Sequence, residues 1–226
     1  VFWEDGRVEL ENFSLHATVP SEGQASPYNH FIKPSPDQML RATVGLALKR
    51  ARLANVYSAL RGKDAATGVD NPDKREGQFT LMREAQAAVL NLANWHHFLD
   101  ALKLAGYRGQ KMVSSEAAII FSYVLYLIGI RDYGIDRTRM RQAIAEFYFM
   151  ASMTGRYTSS PETRFEADLG QVRDLASGEV FVAKLREICD TTLTNDYWEI
   201  TLPSQLATSA ARSPTLFAYQ ASLIML

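Results

Sequence analysis

Apolar residues recur at helical spacing over most of this chain. In "SPDQMLRATVGLALKRARLANVYSALRG", Ser35 to Gly62, the positions Leu40, Val44, Ala47, Leu48 and Ala51 form one stripe, the pattern of a helix buried along one side. Ser35 as N-cap, Pro36 at the first helical position and Gln38 closing a capping box mark its start, and Gly62 supplies a stop. After a polar loop, "FTLMREAQAAVLNLANWHHFLDALKLAG" predicts a second long helix ending at Gly106. A third begins at Ser114 or Ser115 and contains "AAIIFSYVLYLIGI", Ala117 to Ile130. That run is shorter than the roughly 20 apolar residues that span a bilayer, so it predicts a buried core helix. A fourth starts at Asp136, an N-cap, and runs to about Thr154 with Ile144, Phe147, Tyr148 and Ala151 as its stripe.

The stretch "MTGRYTSSPETRFEADLG" follows. Gly155 is placed to end the fourth helix, and Ser159 or Ser160, with Pro161 and Glu162, predicts a second capping box. The fifth helix is expected to end near Gly178, and a sixth to cover roughly Val180 to Leu193. "DYWEITL" reads as a short extended or turn segment, and Ser213-Pro214 opens a last helix. The opening differs: "VFWEDGRVEL" has two β-prone runs around Asp5-Gly6, a hairpin signal. Pro20, Gly23, Pro27, Pro34 and Pro36 then describe an irregular connector. The expected fold is therefore mainly α, a bundle of about six to seven helices with a short N-terminal β hairpin. Hairpin and connector would occupy 1–34 and the helical domain 35–226.

Composition narrows the chemistry. The chain is 226 residues long, 47% hydrophobic, with a formal net charge of -1. That balance gives no global attraction to nucleic acid or membrane, so any such contact must rest on local charge. A lone cysteine, Cys189, excludes an internal disulfide and fits a reducing, cytoplasmic setting. Its apolar neighbours suggest a small buried hydrophobe. The N-terminus lacks a leader pattern, since Glu4, Asp5 and Arg7 interrupt its apolar residues. The helix at "SLIML" is interrupted by the last residue, so both ends read as cuts through a longer protein.

No complete catalytic constellation is visible. His96 and His97 are adjacent, about 100° apart on a helix, and do not share an ion easily. There is no GxxxxGK[ST], GxGxxG or GxSxG. Glu162 and Glu166 share a helix face, but Arg164 and Arg173 beside them suggest a charge-balanced surface. The expectation is no catalysis, no metal and no cofactor in this chain.

Local charge carries more. Arg41, Lys49, Arg50, Arg52, Arg61 and Lys63 lie between Gln38 and Lys63 with no acid among them. Such a helix suits contact with a phosphate backbone, or else its charges are balanced by acids on neighbouring helices. Arg156 and Tyr157 present the same choice. Backbone N–H groups at Ser159 and Ser160 could hold an anion beside them, or Arg156 binds carbonyls or Glu162 while Tyr157 packs as a hydrophobic staple. The DNA-binding candidates are Arg41, Lys49, Arg50, Arg52, Arg156 and Tyr157.

Phe149, Met150, Thr154 to Thr163, Glu166, Asp168 and Leu169, together with "PSPDQMLRA" and "NLANWHHFLDALKLAGY", resemble the helical region of GmrSD-like modification-dependent (type IV) restriction endonucleases. The resemblance covers most of the chain from about residue 30 onward. It implies an anti-phage parent protein with an N-terminal ParB-like domain bearing an Asp-Gly-Gln-Gln-Arg motif and a C-terminal HNH nuclease. The parent would use a nucleoside triphosphate and a divalent metal. Here the one Asp-Gly-Arg, at Asp5 to Arg7, departs from that motif, and no His-Asn-His arrangement follows the last helix. Neither active site carries over. The resemblance thus implies a non-catalytic linker that contacts DNA between the two missing domains; the alternative is a structural or oligomerisation scaffold that never touches nucleic acid.

Overall fold

The computed structural model describes residues 2–18 (side chains 4–14), 31–62, 69, 71–208 and 213–225. Among them lie eleven α-helices and no strand: α1 (Phe2–Thr18), α2 (Pro36–Leu48), α3 (Leu53–Leu60), α4 (Pro72–Val89), α5 (Leu92–Leu104), α6 (Glu116–Arg131), α7 (Arg137–Met153), α8 (Pro161–Val172), α9 (Gly178–Thr192), α10 (Leu202–Ala207) and α11 (Pro214–Met225).

The expected hairpin is a helix. Gly6, Leu10, Phe13 and Ser14 are buried in α1, a spacing near 3.6 that a strand pair does not produce. Gly6 serves close packing there, since a Cβ would stand 3.3 Å from the Gln86 amide oxygen of α4. The connector positions Pro20, Gly23 and Pro27 lie outside the described residues. Beyond them, Phe31 and Ile32 are buried in the same hydrophobic cluster as Leu10, Phe13 and the apolar core of α6, Ala118 to Ile128.

The helix count exceeds expectation because α1 replaces the hairpin, α10 forms after the π turn, and two long apolar stripes break. The first stops at Leu48, where Lys49 turns left-handed at φ 52°, and α3 restarts after Arg52. The second breaks at Leu90–Asn91, where the Asn91 side chain accepts from the Asn94 N–H and caps α5. Other start signals hold. The Ser35–Gln38 capping box forms, Asp136 caps α7 through the N–H groups of Thr138 and Arg139, and the Ser213 hydroxyl accepts from Leu216 N–H. The Ser-Ser-Pro-Glu box does not form. Ser160 sits left-handed at φ 57° with no side-chain cap bond, and Glu162 reaches another helix instead. α8 ends at Val172, and Tyr133 holds that end by donating to the Val172 carbonyl and accepting from Leu175 N–H. "DYWEITL" is a π-helical turn, Tyr197–Thr201, running into α10.

α6 is the axle. Ala118 through Gly129 are all buried, and α2, α5, α7 and α9 pack around it. α4 packs on α2, α11 on α7, and α1 on α2. Among the described residues no helix is long and apolar enough to cross a membrane.

Candidate functional site

The side chains of Arg41, Lys49 and Arg50, on α2 and the α2–α3 corner, each meet a carboxylate. Arg41 pairs with Asp37 one turn earlier at 2.8 Å and with Glu162 of α8. Lys49 pairs with Asp132 at 2.6 Å and donates to the Leu46 carbonyl; burial lowers its pKa against the raising influence of Asp132. Arg50 donates to Glu166 at 3.0 Å. Arg52 is exposed, and its backbone N–H donates to Glu166 at 3.0 Å. Arg61 lies over the Tyr57 ring, 5.6 Å from its centre. Lys63 falls outside the described residues.

Glu166 explains why α3 begins where it does. Arg52, the N-cap of α3, supplies no side-chain bond, and the amides leading into that helix find their acceptor on α8. The Glu166 carboxylate accepts from the N–H groups of Ala51 and Arg52 and from the Asn55 amide at 2.9 Å. Burial raises the pKa of this carboxyl, but the four donors outweigh it, and the net direction is down. A carboxylate at a helix start also complements the helix dipole.

Arg156 and Tyr157 are interior residues. The Arg156 side chain is 4% exposed and its partner Asp168 is 1% exposed. Nε and Nη2 of Arg156 donate to the two Asp168 oxygens at 2.9 and 2.6 Å, and Nη1 donates to Thr192 at 3.1 Å. The Tyr157 hydroxyl donates to Asp168 at 2.6 Å. Burial works against the charged guanidinium, yet Asp168 holds its pKa above the ordinary value. Burial first, then Asp168, pushes the Tyr157 pKa well up. This clamp ties the α7–α8 corner to α9 and uses the donors that an external phosphate would need.

The tyrosine ring continues the clamp into an aromatic group. Tyr157 meets Phe121 edge-on at 5.1 Å, and Phe121 stacks on Phe165 at 4.1 Å. Phe121 and Phe165 form part of the wall of a cleft of about 420 Å³ between α1, α2, α3, α4 and α8. Its other walls are mainly apolar, including Leu10, Leu40, Val44, Leu53, Val56 and Met82, and its ionisable lining groups are Asp37, Arg41 and Glu162.

Comparison of the chain with protein-family models, with curated proteins and with solved structures gave no match. Its own geometry therefore carries the functional argument.

His96 and His97 sit half-buried on α5, and burial lowers the His96 pKa. No three His, Cys, Asp or Glu side chains among the described residues are grouped to hold a metal ion. Cys189 packs against the core, partly exposed, and burial pushes its pKa up to about 12, which disfavours the nucleophilic thiolate. Sequence reasoning treated Glu166 as part of a solvated face and missed the role of Asp168. A signal was present: Phe165, Asp168, Leu169 and Val172 share one helical stripe, so Asp168 is an acid on an apolar face and requires a buried cation.

Proposed function

We propose that this chain is a non-catalytic helical interaction module, a bridge that joins neighbouring domains and presents the α1–α3 cleft to a partner. The observation that carries this reading is the engagement of Arg41, Lys49 and Arg50 by Glu162, Asp132 and Glu166. Their charge stitches helices together, and a phosphate backbone would have to displace those carboxylates. The resemblance to the helical region of GmrSD-like restriction endonucleases fits a bridge between a sensing and a cutting domain, in a parent that uses a nucleoside triphosphate and a divalent metal.

A second reading, DNA-backbone contact, keeps one favourable observation: the exposed side chain of Arg52. The two separate on a titration of duplex DNA at about 50 mM and about 200 mM salt, where several phosphate contacts cost orders of magnitude in affinity. The expected outcome is weak binding that Arg52→Ala leaves unaltered. Tight binding, steep in salt and lost in Arg52→Ala, would replace the bridge with a DNA-contacting module.

A further inference from the structure

The α1–α3 cleft is walled mainly by apolar side chains, with the Arg41–Glu162 pair in its lining. Leu53 lines it yet is 69% exposed, and Tyr57, one turn along the same helix, is 64% exposed. Apolar surface therefore continues from the cleft onto the outer face of α3, farther than a small molecule inside would cover. Contiguous apolar surface of this kind marks an interaction site. Charge supplies the second constraint. Asp37, Arg41 and Glu162 line the cleft, and Gln86 within it donates to the Glu9 carboxylate at 2.6 Å. Two acids against one guanidinium leave one formal negative charge in surplus in the lining.

We propose that this cleft docks an amphipathic segment of a partner protein, with large apolar residues at helical spacing beside Leu53 and a lysine or arginine facing Asp37 and Glu162. Helix-in-groove recognition uses such i, i+3, i+4 anchors, and charge complementarity at the rim sets register and selects against acidic segments. The α3 wall is a two-turn helix that follows the left-handed corner at Lys49 and is held at its start by Glu166. The inference rests on the bridge reading only in taking the partner to be a protein, and the DNA titration tests that reading by a separate measurement.

The test is selection of a phage-displayed library of random peptides of about 16 residues against the full chain. Enriched peptides are then measured by fluorescence anisotropy. The expected result is enrichment of positively charged sequences with two or three large apolar residues at helical spacing. Their Kd should weaken at least about tenfold in Leu53→Gln and about threefold in Asp37→Asn. Both substitutions lie on the exposed surface, and circular dichroism checks that each variant stays folded. Amide shifts on peptide binding should cluster on α1, α2 and α3. Failure to enrich any peptide, enrichment of acidic peptides, or affinity unaltered by Leu53→Gln would overturn the proposal. A neutral fluorophore such as aminoanthracene filling the cleft with no peptide enriched would also overturn it, in favour of a small-molecule site.

Discussion

At the scale of single residues, two carboxylates on α8 hold the structure in different ways. Asp168 is buried against a buried guanidinium and a buried hydroxyl. Removing one partner of such a cluster leaves the others desolvated and unpaired, so Asp168→Ala should destabilise by about 3–5 kcal/mol. Tyr157→Phe removes one hydrogen bond and leaves the Arg156 fork in place, at a cost of about 1 kcal/mol. Urea unfolding at neutral pH measures both, and equal losses in the two variants would contradict the clamp. Glu166 titrates. Its folded pKa lies below the usual 4.5, so its stabilisation is complete above that value and disappears as pH falls through the lowered folded value. Glu166→Gln should cost about 1–2 kcal/mol at pH 7, and the gap from wild type should close on acidification below about 4.5. A gap that stays constant down to pH 3 would rule out the charged cap.

At the scale of elements, breaks and corners decide how helices meet. Gly106 ends α5 at φ 84°, and a Cβ there would stand 2.2 Å from the Ala221 carbonyl oxygen of α11. Backbone cannot yield as a flexible side chain does, so Gly106→Ala combines left-handed strain with overpacking, together about 3 kcal/mol. The expected damage is local: loosening of α11 from α7, read as faster amide exchange in Phe217–Ala221 than in α6. An unaltered α11 would mean that the close approach is relieved elsewhere. The capping motifs at Ser35 and Asp136 were legible in sequence because their partners lie within three residues. The break at Lys49 was not, because Glu166, which rewards it, is more than a hundred residues away. The α1 helix was misread for a related reason. Asp5-Gly6 is a turn signal taken alone, whereas Gly6 answers to Gln86 of α4.

At the scale of the whole molecule, stability should grade outward from α6. Its buried run, Ala118 to Gly129, packs against α2, α5, α7 and α9 and reaches α8 through Phe121, whereas α1 packs mainly on α2 and α10 carries no buried residue. Native-state hydrogen exchange should find the slowest amides in α6 and α7 and the fastest among the described helices in α1 and α10. Protection of α1 equal to that of α6 would show that the cleft wall is as rigid as the core.

By itself, the chain's amino-acid order determined the helical class, the buried α6 and the helix starts at Ser35, Ser115, Asp136 and Ser213. Those follow from periodicity and caps, whose causes lie within a turn or two of each residue. Tertiary structure alone decided where the long stripes break, which acids answer the basic run, and that Arg156 and Tyr157 face inward. Charge is the reason: a cation reads the same in sequence whether it meets solvent, phosphate or a carboxylate from a distant helix, and only folding brings Glu162, Glu166 and Asp168 of α8 to their partners.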